Sequence, residues 1–287
     1  MHDYVQKKHI VDIAYNAQTY GTRSYNAHAY IGRFLPSPTG ALHLGSLVAA
    51  VACQDAARAA GGQWLLRIDD TDLSRIMLGA DKIIIAQLAH YGLHHDGEIT
   101  YASQNRAAHA LALAKLTAAG RTYGCVCSRK DVQMRLVALG LPPDSPYPKT
   151  CLGKNLPSNP LDAGIKHIRL KNKEDDDFVL HTYDPKHLDA HGSLFNYQLT
   201  VVVDDATAGV THVVRGSDLA DNTPRQNALQ QLLGLATPLY THVPVVLGAD
   251  GAKLSKHNHA AAIPLDSTAA EKAALLAWVS DFLKNGG

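Results

Sequence analysis

An α/β fold organised on a parallel sheet is predicted by three features of the sequence. Ala29 to Leu35 is an apolar stretch of strand length, Leu47 to Ala60 is an Ala-, Val- and Leu-rich stretch of helical length, and WLLRIDD, Trp64 to Asp70, reads as a second strand. Gly61 and Gly62 stop the helix between them. Strand, turn, helix and strand at this spacing make a βαβ unit, whose strands run parallel. Sheets of this Rossmann-like kind bind ligands beyond the carboxyl ends of their strands, where the strand order reverses. Neither G-x-G-x-x-G nor G-x-x-x-x-G-K occurs, which removes the ordinary dinucleotide and P-loop readings.

The turn that links the first strand to the helix, RFLPSPTGALHLGS from Arg33 to Ser46, dominates the functional reading. Pro36 and Pro38 fix φ and stiffen the approach, Gly40 permits a sharp turn, and Gly45 lets a ligand lie against the backbone. His43, Gly45 and Ser46 then fall in the first turn of the helix, where unpaired N–H groups and the helix dipole favour phosphate. Far down the chain, KLSKH from Lys253 to His257 brings two ammonium groups three residues apart, and Gly248 and Gly251 make the preceding loop pliable. Such a loop can close over a triphosphate.

Composition bounds the alternatives. The 287 residues suffice for a full core, and 46% hydrophobic with 18% charged residues is ordinary for a globular protein. No apolar run approaches the ~20 residues that span a bilayer, so no membrane association is expected. Twenty-seven Lys plus Arg against 26 Asp plus Glu leave a net charge of +1, so any contact with nucleic acid must rest on a local patch. Four Cys, three of them clustered, argue for a metal site in a reducing cytoplasm rather than a disulfide framework.

The remaining elements follow in order. Residues 1–28 read as an N-terminal extension without the apolar core of a secretory signal. RIDDTD, Arg67 to Asp72, places three carboxylates at a strand end. Ala80 to Leu93 and Gln104 to Ala119 have helical spacing; His90 in the first, and His94 and His95 after it, read as core or surface histidines rather than ligands. RTYGCVC is strand-like and is followed by a helical segment, a Pro-rich turn and Cys151. Zinc takes four ligands; Cys125, Cys127 and Cys151 supply three, and Tyr147, Asp131, Asp144 or an outside residue is open for the fourth. Cys53 reads as a small core residue. KHIRLKN and FVLHTYD are strand-like, and EDDD, Glu174 to Asp177, reads as a solvated turn. FNYQLTVVVDDATAGVTHVVRGSDL is nearly all apolar and reads as buried strands, with no role assigned to Asp204 and Asp205. Thr223 to Leu233 reads as a helix capped by Thr223, HVPVVLG as the strand before the lysine loop, and Thr268 to Leu283 as a closing amphipathic helix. The organisation expected is an extension over 1–28, the first half of the catalytic domain over 29–120, an inserted zinc-containing subdomain over 121–192, and the second half over 193–287.

P-x-P-x-G-x-L-H-x-G-S followed some two hundred residues later by K-L-S-K resembles the paired signatures of class I aminoacyl-tRNA synthetases, specifically the glutamyl/glutaminyl branch. Within it the chain is most similar to short paralogues that attach glutamate to the queuosine base of tRNA(Asp) and lack the anticodon-reading part. The resemblance covers roughly residues 30 to 260. It implies ATP with Mg2+ at Pro36, Gly45, Ser46, Lys253, Ser255 and Lys256, with His43 and Lys256 as catalytic groups. It implies L-glutamate at Arg33, Phe34, Leu35, Pro36, Ser37, Asp69, Tyr197 and Arg215, with Asp69 on the α-ammonium group. It supplies Tyr147 as fourth ligand of a Zn2+ held by Cys125, Cys127 and Cys151. Asp69 departs from the R-I-E-D of those paralogues, so the carboxylate sits one methylene further back. The expected protein is a cytoplasmic, monomeric, ligase-type enzyme; the alternatives are charging of a tRNA 3′ end and a non-catalytic binding module.

Overall fold

The computed structural model describes residues 30–158, 164–172, 177–183, 194–248, 251–254 and 260–286. The N-terminal extension expected over 1–28 lies outside the described residues. The βαβ unit consists of β1 (Ile31–Phe34), α1 (Leu44–Ala59) and β2 (Gln63–Ile68), with β1 and β2 parallel in a register that pairs Ile31 with Gln63. α1 ends where the glycines require it. Gly61 has φ +62°, its N–H reaches the Arg58 carbonyl, and Gly62 N–H reaches back to Ala57, so the last carbonyls are satisfied. A Cβ on Gly62 would stand 2.2 Å from the Tyr30 carbonyl oxygen, so only glycine lets the returning chain meet β1.

α2 (Ala80–His90) crosses over to β3 (Thr100–Tyr101), which pairs in parallel with the end of β2, and α3 (Arg106–Ala118) follows. The chain then builds an antiparallel sheet of β4 (Thr122–Cys125), β5 (His167–Leu170), β6 (Val179–Thr182) and β7 (Leu194–Phe195), with α4 (Arg129–Ala138) between β4 and β5. A capping box of Ser128 and Asp131 starts α4. α5 (Tyr197–Thr207), β8 (His212–Gly216), α6 (Thr223–Leu233), β9 (Leu239–Val243) and α7 (Ala269–Lys284) complete the chain, and β8 and β9 are parallel. β8 is laced to the other side of β1 by Thr211 N–H donating to the Ile31 carbonyl and Ile31 N–H donating to Thr211 Oγ1, both at 2.9 Å. β1 therefore has β2 on one side and β8 on the other, and the strand order reverses beside it.

Two apolar cores hold these layers. One packs α1 and α7 on the parallel strands through Leu47, Val48, Trp64, Leu66, Ile68 and Val279. The other joins α3, α5 and α6 to the antiparallel sheet through Leu116, Ile168, Leu180, Leu199 and Leu229. Each such side chain contributes roughly 1.5–3 kcal/mol by leaving water. No helix among the described residues is long and apolar enough to cross a membrane.

Four readings from sequence need correction. Tyr197–Thr207 is a helix, not a strand: Leu199 to Asp205 are all buried, so the segment has no polar stripe, and a helix apolar all round cannot be told from a strand by periodicity. The strand before the lysine loop is Leu239–Val243, and Pro244, which lacks a backbone donor, ends it before the VVLG stretch. Thr223 is the first helical residue of α6, and its hydroxyl accepts from Arg215 Nη2 instead of capping. Asp177 is 2% exposed, accepting from the Tyr123 hydroxyl and from Asn172 N–H, while Glu174 to Asp176 lie outside the described residues.

Candidate active site

The carboxyl ends of β1, β8 and β9 open onto one cleft of about 550 Å3. It lies where an open sheet places its ligands, at the reversal of strand order. Arg33, Phe34, Leu35, Pro36, Ser37, His43, Gly45, Ser46, Tyr197, Arg215 and Lys253 all line it. Ser255 and Lys256 lie outside the described residues.

At one end sits the turn into α1. Gly40 takes φ +133°, and His43 becomes the N-cap, its Nδ1 accepting from Ser46 N–H at 3.3 Å. That bond fixes the tautomer, since a nitrogen that accepts leaves the ring proton on Nε2. A Cβ on Gly45 would come within 3.1 Å of His43 Cε1, so glycine lets the imidazole fold over the first turn. The lysine loop is anchored on both flanks of this turn. Leu254 N–H donates to the Val246 carbonyl, and Leu247 bridges Lys253 across a tight turn. On the far side Ala262 bridges His43, and the Gln87 amide ties Leu42 to Ile263. The proline-stiffened turn and the lysine segment, about two hundred positions apart in the chain, meet across the cleft. The Lys253 ammonium pairs with Asp218 from the 3-10 turn after β8.

At the other end lie buried charges. Arg33 is 4% exposed and its Nε and Nη2 both donate to Asp205, each at 3.1 Å. Asp205 also accepts from Arg67 Nη2 at 2.6 Å, and its neighbour Asp204 accepts from His109 Nε2 at 2.6 Å and Asn105 at 2.7 Å. Burial alone would raise the Asp205 carboxyl and lower Arg33, but each is outweighed by the other's charge, so Asp205 lies below and Arg33 above its ordinary value. Arg215 differs. It is 5% exposed, yet its Nη1 donates to Gln226 Oε1, Nη2 to Thr223 Oγ1 and Nε to His242 Nε2, all neutral acceptors. Burial pulls its pKa below the usual arginine range. Asp69 does not itself line the cleft but lies behind Ser37, whose Oγ is 3.4 Å from its carboxylate; burial raises its pKa despite the Thr71 hydrogen bond. Asp70 is taken up by Ser103 and Asp72 by Ser74 and Arg75.

Sequence reasoning assigned no role to Asp204 and Asp205 and passed over Gln226 and His242. The available signal was two adjacent carboxylates inside an apolar run, since such groups are almost never fully buried unless paired.

A second cluster lies under β4. The sulfurs of Cys125, Cys127 and Cys151 lie within 4.8 Å of one another. Tyr147 Oη stands 3.3 Å from Cys125 Sγ and 3.8 Å from Cys127 Sγ, and accepts from Cys151 N–H at 3.0 Å. Burial pushes the Cys127 thiol up to about 11; at Cys151 burial is outweighed by hydrogen bonds, first from Tyr147, which bring it down to about 7. Three convergent thiols and one oxygen are a donor set that suits zinc. Asp131, another sequence candidate, is instead consumed in the α4 capping box. Cys53 is a core residue whose thiol donates to the Val214 carbonyl.

Comparison with known proteins agrees with this architecture. The family model described as tRNA synthetases class I (E and Q), catalytic domain, matches residues 31–279. A protein of Albidiferax ferrireducens named glutamyl-Q tRNA(Asp) synthetase is 44% identical over 280 residues, covering 83% of this chain and 87% of that one. One of the same name from Thiobacillus denitrificans is 46% identical over 256 residues, covering 83% and 81%. The crystal structure of a glutamate-tRNA synthetase from Elizabethkingia anophelis shares the fold, with a TM-score of 0.67 at 24% identity, over 80% of this chain and 53% of that one, so the chain spans about half its length. The chain therefore belongs to the class I tRNA synthetase catalytic-domain family of the glutamyl and glutaminyl branch and, within it, to the family of the glutamyl-Q tRNA(Asp) synthetases.

Proposed function

We propose that this protein activates L-glutamate with ATP and transfers the glutamyl group to the queuosine base of tRNA(Asp). The observation that carries the reading is the cleft itself, in which a helix N-terminus and a lysine loop face two buried guanidinium groups. One end suits polyphosphate and the other a dicarboxylate. The names of relatives that are 44–46% identical over most of their length support the acceptor.

In the first step a glutamate α-carboxylate oxygen attacks the α-phosphorus of ATP, the bond from phosphorus to the bridging oxygen breaks, and pyrophosphate leaves. Negative charge gathers on the non-bridging oxygens, so catalysis consists of positioning and charge stabilisation. His43 Nε2–H and the N–H groups at the start of α1 supply fixed donors, and Lys256 is proposed to add a charge from the loop. Mg2+ accompanying ATP would offset part of the phosphate charge. Arg215 and Arg33 receive the glutamate side chain with Tyr197 as a wall, and Asp69 receives the ammonium group, where an ion-pair hydrogen bond is strong. In the second step a hydroxyl of the queuosine ring attacks the acyl carbon, AMP leaves, and the hydroxyl proton is released.

Cys125, Cys127, Cys151 and Tyr147 would hold Zn2+ in a closed structural site, where the ion supplies a crosslink rather than chemistry. The proposed organisation is a catalytic domain in two halves, 29–120 and 193–287, around a zinc-knuckle subdomain over 121–192, in a cytoplasmic monomer. The test is transfer of labelled glutamate to tRNA(Asp) with and without queuosine. Label on queuosine-containing tRNA only, surviving a periodate block of the 3′ end with the base protected, is expected. Label equal on both tRNAs and abolished by the block would assign 3′-end charging instead.

A further inference from the structure

The two cleft arginines are held in opposite ways, and the difference carries a consequence for substrate choice. Arg33 is gripped by a carboxylate that it shares with Arg67, so its charge is balanced within the protein. Among the described residues no carboxylate touches Arg215. The acids of this part of the cleft are already engaged, Asp205 with Arg33 and Arg67, and Asp218 with Lys253. Arg215 is surrounded instead by His242 of β9, Thr223 and Gln226 of α6, Tyr197 at the start of α5, and the ring of Tyr240, 4.9 Å away.

This cage fixes the side chain while leaving its charge unmatched. A guanidinium has five N–H donors. Three are used by His242, Gln226 and Thr223, and the Tyr197 hydroxyl, at the cleft wall, also bonds the guanidinium, so every protein partner is neutral and the charge itself is left for a carboxylate. The cage is itself braced: Gln226 donates to Gln198, and Thr223 Oγ1 lies 3.3 Å from His242 Nε2. Since Thr223 Oγ1 accepts from Arg215, its hydroxyl proton can go to the same imidazole lone pair. His242 Nε2 thus faces two donors and has no room for a proton of its own.

We propose that His242, as a neutral acceptor behind Arg215, is a specificity-determining positioning residue: it orients the guanidinium without neutralising it, so that the site takes a carboxylate and rejects the isosteric carboxamide. A carboxamide in the same place leaves a desolvated cation unpaired, and the penalty for that is larger than the net gain of an ordinary hydrogen bond. An acidic side chain at position 242 would supply internally the charge that the substrate now supplies. The charged groups that face His242 are Arg215 from β8 and Asp218 from the 3-10 turn, and burial together with Arg215 keeps its pKa below 6.5. This inference rests on the glutamate reading of the cleft and adds to it the residue that selects the substrate.

The test compares His242→Asn with His242→Asp, near-isosteres that differ in charge. Glutamate and glutamine are titrated separately in ATP–pyrophosphate exchange. Relative to the Asn variant, the Asp variant should raise the glutamate KM at least tenfold, with a smaller change in kcat, and narrow the preference over glutamine by a similar factor. Equal glutamate KM values and equal preference in the two variants would overturn the proposal while leaving glutamate activation intact. Exchange by the wild type with no dependence on glutamate would overturn both. If the Asp variant does not fold, the pH profile decides. In the wild type the KM for glutamate, and not that for ATP, should rise on the acid side of the ordinary histidine range, where the lowered His242 takes up its proton, and the rise should be absent in His242→Asn. A rise of the same size in that variant would overturn the proposal.

Discussion

Asp205→Asn is the most informative single perturbation of the site, because it removes one charge and almost no volume. In the native protein this carboxylate takes two hydrogen bonds from Arg33 and one from Arg67, and all three side chains are at most 6% exposed. Removing one partner of such a buried group leaves uncompensated charge and costs about 3–5 kcal/mol. For a chain of this size that is a fall in melting temperature of roughly 5–8 °C. Arg33 also loses the grip that fixes it in the cleft wall. If a charged hydrogen bond to glutamate worth about 1.5–3 kcal/mol is misplaced with it, the glutamate KM rises by about 10- to 150-fold, while the KM for ATP changes little. Thermal melting and pyrophosphate exchange at varied glutamate measure the two effects. A variant with native melting temperature and native glutamate KM would refute the view that Asp205 anchors Arg33.

Three further outcomes follow from the same structure. Purified protein should carry about one zinc per chain, and Cys151→Ala should release it and lower the melting temperature; a metal-free sample with native stability would remove the proposed site. Gly62→Ala drives a Cβ to 2.2 Å from the Tyr30 carbonyl, with no flexible side chain to yield, and should destabilise the protein by more than the roughly 1 kcal/mol of an average substitution; native melting would contradict it. His212 and His242 are both held below 6.5, mainly by burial. As pH falls through 6.5 the unfolded chain takes up these protons before the folded one, so stability should fall toward their lower folded values. Melting at pH 7.5 and 5.5 checks the sign, and a higher melting temperature at the lower pH would contradict it.

The parts legible in the sequence are those whose physics is local. The phosphate turn depends on Pro36, Gly40, His43 and Gly45 within one short stretch, and the α1 stop depends on Gly61 and Gly62, so position along the chain is enough to read them. The capping box of α7 is local in the same way. α5 was not legible because Leu199 to Asp205 face protein on every side, which erases the amphipathic stripe. Nor could Asp204 and Asp205 be given partners, since those partners lie 95–172 positions away, at His109, Arg67 and Arg33. The neutral cage of Arg215 draws on β8, α6 and β9, and no spacing rule connects them. At the cysteine cluster the sulfurs are readable from spacing, whereas Tyr147 gained its place only through resemblance, because a phenol has no ligand spacing of its own.

On the proposed reading, the cleft where the proline-stiffened turn meets the lysine segment activates glutamate. ATP–pyrophosphate exchange measured without tRNA, with each of the standard amino acids in turn, tests it most directly. Exchange is expected with L-glutamate, falling by about 10²–10³ in Lys256→Ala, with the fold unchanged by circular dichroism. Exchange that is absent with glutamate, or that is supported by a different amino acid, would contradict it.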